Sequence, residues 1–257
     1  LLQSSGEDAD AYFSSRTQDV RTAAVLPDTR ESFPENLWDV RLGGQYRRKF
    51  DGWTGGAALG LGSASDQPFA SWAETLLDVN LFARVPTDGR NAWLFFLNYS
   101  KTREFLPNVP LPGVGFWYEP SDRVRLVAGI PFVFLHLRPG KELTFSFSYF
   151  FVRSVRARLT YSPFGFLRVF AHFEWKNESY YRADRQDDKE RLFYYEKQTS
   201  LGIQAFLNRN LSLDLSAGYA LDRFYFEGRK YEDRDHNRVS IGNGPFVMLR
   251  LGARLKR

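Results

Sequence analysis

Residues 211–222 read LSLDLSAGYALD, with Leu, Leu, Leu, Ala, Tyr and Leu at the odd positions and Ser, Asp, Ser, Gly, Ala and Asp at the even ones. A two-residue period of this kind describes a strand with one apolar and one polar face, because successive side chains leave a strand on opposite sides. The period recurs at 38–46, 143–151, 167–175 and 247–255. An all-β chain follows.

Composition narrows the class. The chain has 257 residues, of which 24 are Phe and 13 Tyr, yet it is polar on average. A transmembrane barrel reconciles these facts, since every second residue of each strand meets lipid and the others meet water. No stretch approaches the roughly 20 apolar residues of a spanning helix; the longest near-apolar run, 127–137, is broken by Gly129, Pro131 and His136. The absence of Cys excludes disulfides and thiolate chemistry. A net charge of +5 is too small to indicate nucleic acid as a partner. The first residue, Leu1, reads as the start of a processed chain whose signal peptide has been removed.

The connectors come in two lengths. Tight turns are expected at Asp51-Gly52, 86–90, 120–122, 139–141, 163–166 and 208–210, and longer polar loops at 27–35, 65–70, 103–112, 182–191 and 227–244. Outer-membrane barrels have short turns on the periplasmic side and long loops outside. Around Pro131 the apolar phase flips from even (Val124, Leu126, Ala128, Ile130) to odd (Val133, Leu135, Leu137), which requires a turn there. A further turn is placed at 152–154, where Arg153 would otherwise face lipid. With 17–26 as the first strand, the expectation is an antiparallel up-and-down transmembrane β-barrel of about fourteen strands, twelve being the lower alternative. Both termini are periplasmic, residues 1–16 form an N-terminal periplasmic segment, and 17–257 form the barrel. Trp38, Trp72, Trp93 and Trp117 near strand ends suit an aromatic girdle. The end of the chain, 250–255, has the polar, glycine and hydrophobic residues of a barrel insertion signal but finishes on Lys256-Arg257.

Several segments carry a resemblance: 108–118 (NVPLPGVGFWY), 138–143 (RPGKEL), 173–178 (FEWKNE), 191–197 (RLFYYEK), 211–228 and 242–246 (GNGPF). Over roughly 37–255 the chain resembles an uncharacterised family of predicted bacterial outer-membrane β-barrel proteins. That resemblance implies the fold and the bacterial outer membrane as location. It supplies no reaction and no catalytic residues.

The inferred phases send Arg41, Arg47, Arg84, Arg125, Arg138, Arg156, Arg158, Arg168, Lys176, Arg250 and Arg254 inward, with Asp39, Asp78, Glu174, Glu196, Asp214 and Asp222. Charge inside a barrel must be paired or hydrated. The surplus of bases favours anions in a wet lumen, while inward Phe82, Phe96, Phe132, Phe134 and Phe170 favour a partly filled one. Arg168 has Glu174 and Asp214 as candidate partners, whereas Arg156 and Arg158 have neutral Thr160 as their neighbour along the strand. His172 shares a face with Glu174, but no Ser nucleophile can be assigned beside it, so it reads as a lumen histidine; no catalytic residue, metal cluster or cofactor is expected. The mixed-charge loops 184–190 and 231–238 read as solvated, with Ca²⁺ or lipopolysaccharide phosphate as the functional alternative. A small anion-favouring channel is the first functional expectation. A closed structural barrel that anchors an envelope complex is the second, and a membrane-embedded lipid hydrolase the least supported. The partners expected are outer-membrane lipid, lipopolysaccharide and other envelope proteins.

Overall fold

The computed structural model describes residues 7–253 except 21, 104, 105, 107, 151–153 and 209. Its strands are β1 (Glu7–Asp19), β2 (Asn36–Phe50), β3 (Trp53–Ser65), β4 (Thr75–Pro86), β5 (Ala92–Ser100), β6 (Leu111–Ser121), β7 (Val124–Ile130) and β8 (Phe132–Leu137). They continue as β9 (Leu143–Phe150), β10 (Ser154–Phe164), β11 (Leu167–Tyr180), β12 (Arg191–Phe206), β13 (Leu211–Gly228), β14 (Val239–Ile241) and β15 (Gly244–Ala253). All belong to one antiparallel up-and-down sheet in chain order, with β14 and β15 both paired to β13. Fifteen segments therefore fill fourteen places, because the last strand is broken at Gly242-Asn243. Among the described residues β1 and β15 each keep one unpaired edge, and the sheet is not closed. No helix among them is long and apolar enough to cross a membrane.

Connections alternate between two ends. Those at 51–52, 87–91, 122–123, 138–142, 165–166 and 207–210 define a tight-turn end; those at 20–35, 66–74, 101–110, 181–190 and 229–238 define a long-loop end. β1 starts and β15 finishes at the tight-turn end. The phase flip is a corner between β7 and β8 at Pro131, and β9 passes to β10 after Phe150; the turn placed at 152–154 lies mostly outside the described residues.

The register converts the two-residue period into rows. Val247, Ala217, Leu201, Ala171, Leu159, Phe145, Leu137 and Val124 are successive cross-strand partners from β15 to β7. One residue along, the row reads Phe246, Gly218, Ser200, His172, Arg158, Ser146, His136 and Arg125. The convex face is thus apolar and exposed, with Leu249 66% and Leu251 69% accessible, and the concave face is polar.

At the long-loop end alternation gives way to burial on both faces. Residues 191–196 of β12 and 224–228 of β13 are all buried. Their sequences, RLFYYE and FYFEG, are near-continuous apolar runs, as strands covered on both sides require. One face packs Leu192, Tyr194 and Tyr225 against Leu26, Phe33, Leu37, Ala64 and Tyr180. The other packs Phe193, Tyr195, Phe224 and Phe226 with Trp175 and Tyr231. These strand extensions and the 20–35 loop form a cap.

Two expectations are corrected. The first strand is Glu7–Asp19 rather than 17–26, so residues 7–16 of the expected N-terminal segment belong to the sheet, residues 1–6 lying outside the described residues. Its pairing with β2 is supported by charge, Arg47 bonding Asp8 at 2.5 Å, which an apolar-period search does not detect. The apolar cluster 23–26 instead sends Leu26 into the cap core. Asp222, expected inward, has φ +49 in an irregular stretch of β13 and pairs at 2.6 Å with Lys197, which stands opposite Trp175 in the apolar row.

Five inward aromatic rings are held against the wall. Phe82, Phe96, Phe170, Phe246 and Tyr12 each lie over a glycine that is their direct cross-strand partner: Gly56, Gly113, Gly202, Gly218 and Gly43. A ring folded onto a strand that has no Cβ stays against the wall. At Gly113 an added Cβ would sit 1.9 Å from Phe96 Cε2, while at Gly140 it would meet nothing within 4 Å. Gly113→Ala is expected to cost about 1–3 kcal/mol through forced ring displacement, and Gly140→Ala close to nothing, as read by urea unfolding of the two variants.

Candidate functional site

The concave face encloses a cavity of about 1120 Å³. Arg16 of β1 reaches across it to Glu178 Oε1 of β11 at 2.6 Å and also contacts Asp39 at 3.4 Å. Asp39 in turn accepts from Arg41 Nε at 2.7 Å. Arg156 donates to Glu174 Oε1 at 2.7 Å, so of the two arginines on β10 only Arg158 lacks an ion-pair partner among the described residues. Glu174, one of the two candidate partners of Arg168, is thus engaged by Arg156. Arg168 reaches Gln204 Oε1 at 3.5 Å instead.

Several guanidinium groups lie on rings. Arg158 sits 3.7 Å from the Phe170 centroid and Arg168 4.5 Å from that of Phe206. Trp117 has Arg84 at 5.3 Å and Arg125 at 4.8 Å, and Arg125 also pairs with Glu119 at 3.0 Å. Such stacking holds a cation without consuming a carboxylate. Asp214 stands opposite Arg250 and Gln204 in the register, and its Oδ1 is buried without a hydrogen bond. Arg254 lies outside the described residues.

The cross-strand neighbour of His172 that sequence could not supply is Ser200. Glu174, the group that would orient the imidazole, is engaged by Arg156, and no hydrogen bond joins Ser200 to His172 among the described residues.

The cap contains polar groups that sequence reasoning assigns to solvated loops. Arg182, 2% exposed, bonds Glu227 at 2.7 Å, Asp184 at 2.7 Å and Glu31 at 2.8 Å. Asn237 donates to Glu227 Oε2 at 2.7 Å and accepts from the backbone N–H of Asp28 at 2.7 Å. Arg185 pairs with the buried Glu74 at 2.8 Å. Four long-loop connections are joined by these contacts. Burial, and then the nearby Glu227 charge, push the Glu190 carboxyl above its ordinary value. The signal for this network lies in the flanks: Arg182 and Glu227 border the apolar runs that both faces of the cap cover.

The cap also narrows one end. Tyr181 N–H donates to Ala64 O at 2.7 Å and Asp66 N–H to Tyr181 O at 3.2 Å, so the ends of β3 and β11, far apart in the sheet order, are joined directly. No protein-family model and no curated protein matches the chain.

Removing Arg182 would leave the buried Glu227 carboxylate without its cation, with the Asn237 amide as its remaining side-chain donor. Arg182→Met is expected to destabilise the cap by about 3–5 kcal/mol, seen as faster protease cleavage within 181–190 and 229–238. Adding Glu227→Gln to that variant should recover part of the loss.

Proposed function

We propose that the chain is a transmembrane β-barrel of the bacterial outer membrane whose interior is a narrow, anion-favouring passage. The observation that carries this reading is the apolar, exposed convex face set against a concave face holding the ion pairs. In water so much exposed Leu, Ile, Phe and Trp would promote association, whereas lipid requires it. β1 and β15 run antiparallel and begin and end at the tight-turn end, so they can pair and close the wall. The tight turns and both termini are then periplasmic, and the cap faces outward toward lipopolysaccharide. Arg158, Arg168 and Arg84, held on rings, supply the positive field of the passage.

A second reading is a closed structural barrel that anchors an envelope complex. The direct joining of β3 and β11 beneath the cap supports it.

The lipid-facing assignment has a direct test. Leu215→Arg, on the convex face, should cost roughly 2–4 kcal/mol of folding free energy in lipid vesicles, and Ser212→Arg, on the concave face, much less. Equal penalties would overturn the assignment of one face to lipid.

Planar-bilayer recordings under a chloride gradient separate the two readings. A passage gives conductance whose anion preference weakens with salt, and replacing Arg158 and Arg168 together by Gln shifts the reversal potential toward cations. A scaffold conducts in neither form.

A further inference from the structure

One irregularity reorganises the convex face at the base of the cap. Tyr195 pairs with Phe224 and Lys197 with Leu221, so over this interval β13 holds one residue more than β12. The extra residue falls at Asp222-Arg223, where Asp222 has φ +49, and it reverses the phase of β13. Tyr219 and Leu221 are convex below the bulge, and Phe224 and Phe226 are convex above it, beside Tyr195 and Lys197 of β12.

The connection that follows β13 folds back over these residues and leaves a pocket of about 400 Å³. Tyr195, Phe224 and Tyr231 supply its aromatic lining, and Ser240 and Asn243 border it. Its charged residues are Asp222, Arg223, Arg234 and Arg238. Asp222 is neutralised by Lys197 at 2.6 Å, and Arg223 is taken by Glu196 at 3.0 Å. Arg238 rests 3.9 Å from the Phe224 centroid, and its ion pair with Asp235 is long, 3.8 Å, between side chains 39% and 89% exposed. So loose a surface pair holds the guanidinium weakly and leaves it able to turn to a stronger acceptor. Arg234 is exposed and has no ion-pair partner among the described residues. The pocket therefore offers two guanidinium groups to an anion, and phosphate is the anion whose oxygens match their paired N–H donors.

Four residues down β12, about 13 Å at the rise of a strand, Thr199 borders an apolar groove of about 530 Å³ on the same convex face. Phe145, Phe173, Leu201 and Tyr219 wall this groove, and Ala157 and Ala171 lie between them. A basic, aromatic-lined pocket above an apolar groove on the same two strands fits a molecule built in the same order. Phosphate meets the arginines, the C–H face of a sugar meets the negative faces of the rings, and an acyl chain meets the groove.

We propose that this surface of β12 and β13 holds one phosphorylated glycolipid of the lipid A class, with a phosphate at Arg234 and Arg238 and an acyl chain in the groove beside Ala171. This rests on the transmembrane reading with the cap outward, because only then do pocket and groove lie at the heights of headgroup and chain in the outer leaflet.

The test uses the whole protein, with flotation on phosphatidylcholine vesicles as the check on insertion. The protein is then titrated in detergent micelles with bisphosphorylated lipid A, its dephosphorylated form and phosphatidylglycerol, and the bound lipid is counted by native mass spectrometry. One lipid A per chain is the expected result. Each cation near a membrane surface strengthens binding of an anionic lipid about fivefold. Removing the phosphates, or replacing Arg234 and Arg238 together by Gln, should therefore weaken retention by roughly 25-fold. Ala171→Phe fills the groove while staying apolar toward lipid, and should weaken retention several-fold. Arg229→Gln, outside the pocket, should leave it unchanged. Unchanged retention in the double Gln variant or in Ala171→Phe, or equal retention of dephosphorylated lipid A, would overturn the site while leaving the barrel intact. Phosphatidylglycerol held as tightly as lipid A would overturn the glycolipid assignment. Failure to float with the vesicles would overturn both the site and the transmembrane reading.

Discussion

A slip of one residue between any two neighbouring strands would carry Arg158 into the row of Ala171 and Leu201 and turn leucines toward the ion pairs. Everything else in the sheet depends on that register being held. It is held twice over, by the apolar row outside and by specific polar partners inside, such as Arg156 with Glu174 and Lys176 with Glu196. The inner contacts are individually modest where water reaches them. Their value lies in being lost together if the register moves.

The concave face solves a space problem by laying its large groups flat. Phe96 lies on Gly113, Phe170 on Gly202, and Arg158 in turn on Phe170. A charged group is thereby held against the wall by a ring that is itself held by a glycine. The result is a cavity that contains many aromatic residues without being filled by them.

Alternation makes much of this architecture legible in the residues themselves. Strands such as Leu211–Gly228 and Gly244–Ala253 announce one apolar face, and the phase change at Pro131 announces its corner. β1 is harder to find, because Ala9, Ala11 and Ser15 on its apolar side carry little hydrophobic signal and its pairing relies on charges from another strand. The cap is hidden for the opposite reason: in RLFYYE both faces are apolar or paired, so the period vanishes just where burial is greatest. The partners of individual arginines are not legible at all. Whether Glu174 serves Arg156 or Arg168 depends on side-chain reach across a strand pair, and no periodicity contains that distance.

The network around Arg182 and Asn237 has a consequence for motion. Surface loops ordinarily open on their own, at little free-energy cost, and exchange their amide hydrogens quickly. Here Glu227, Asn237, Asp28 and Arg182 bind the 20–35, 181–190 and 229–238 connections into one unit. To expose one of these connections the molecule must break contacts in the others, so their amides will be released together, at a free energy closer to that of the strands beneath them than to that of a free loop. The long-loop end then behaves as part of the frame, as rigid as the strands it joins.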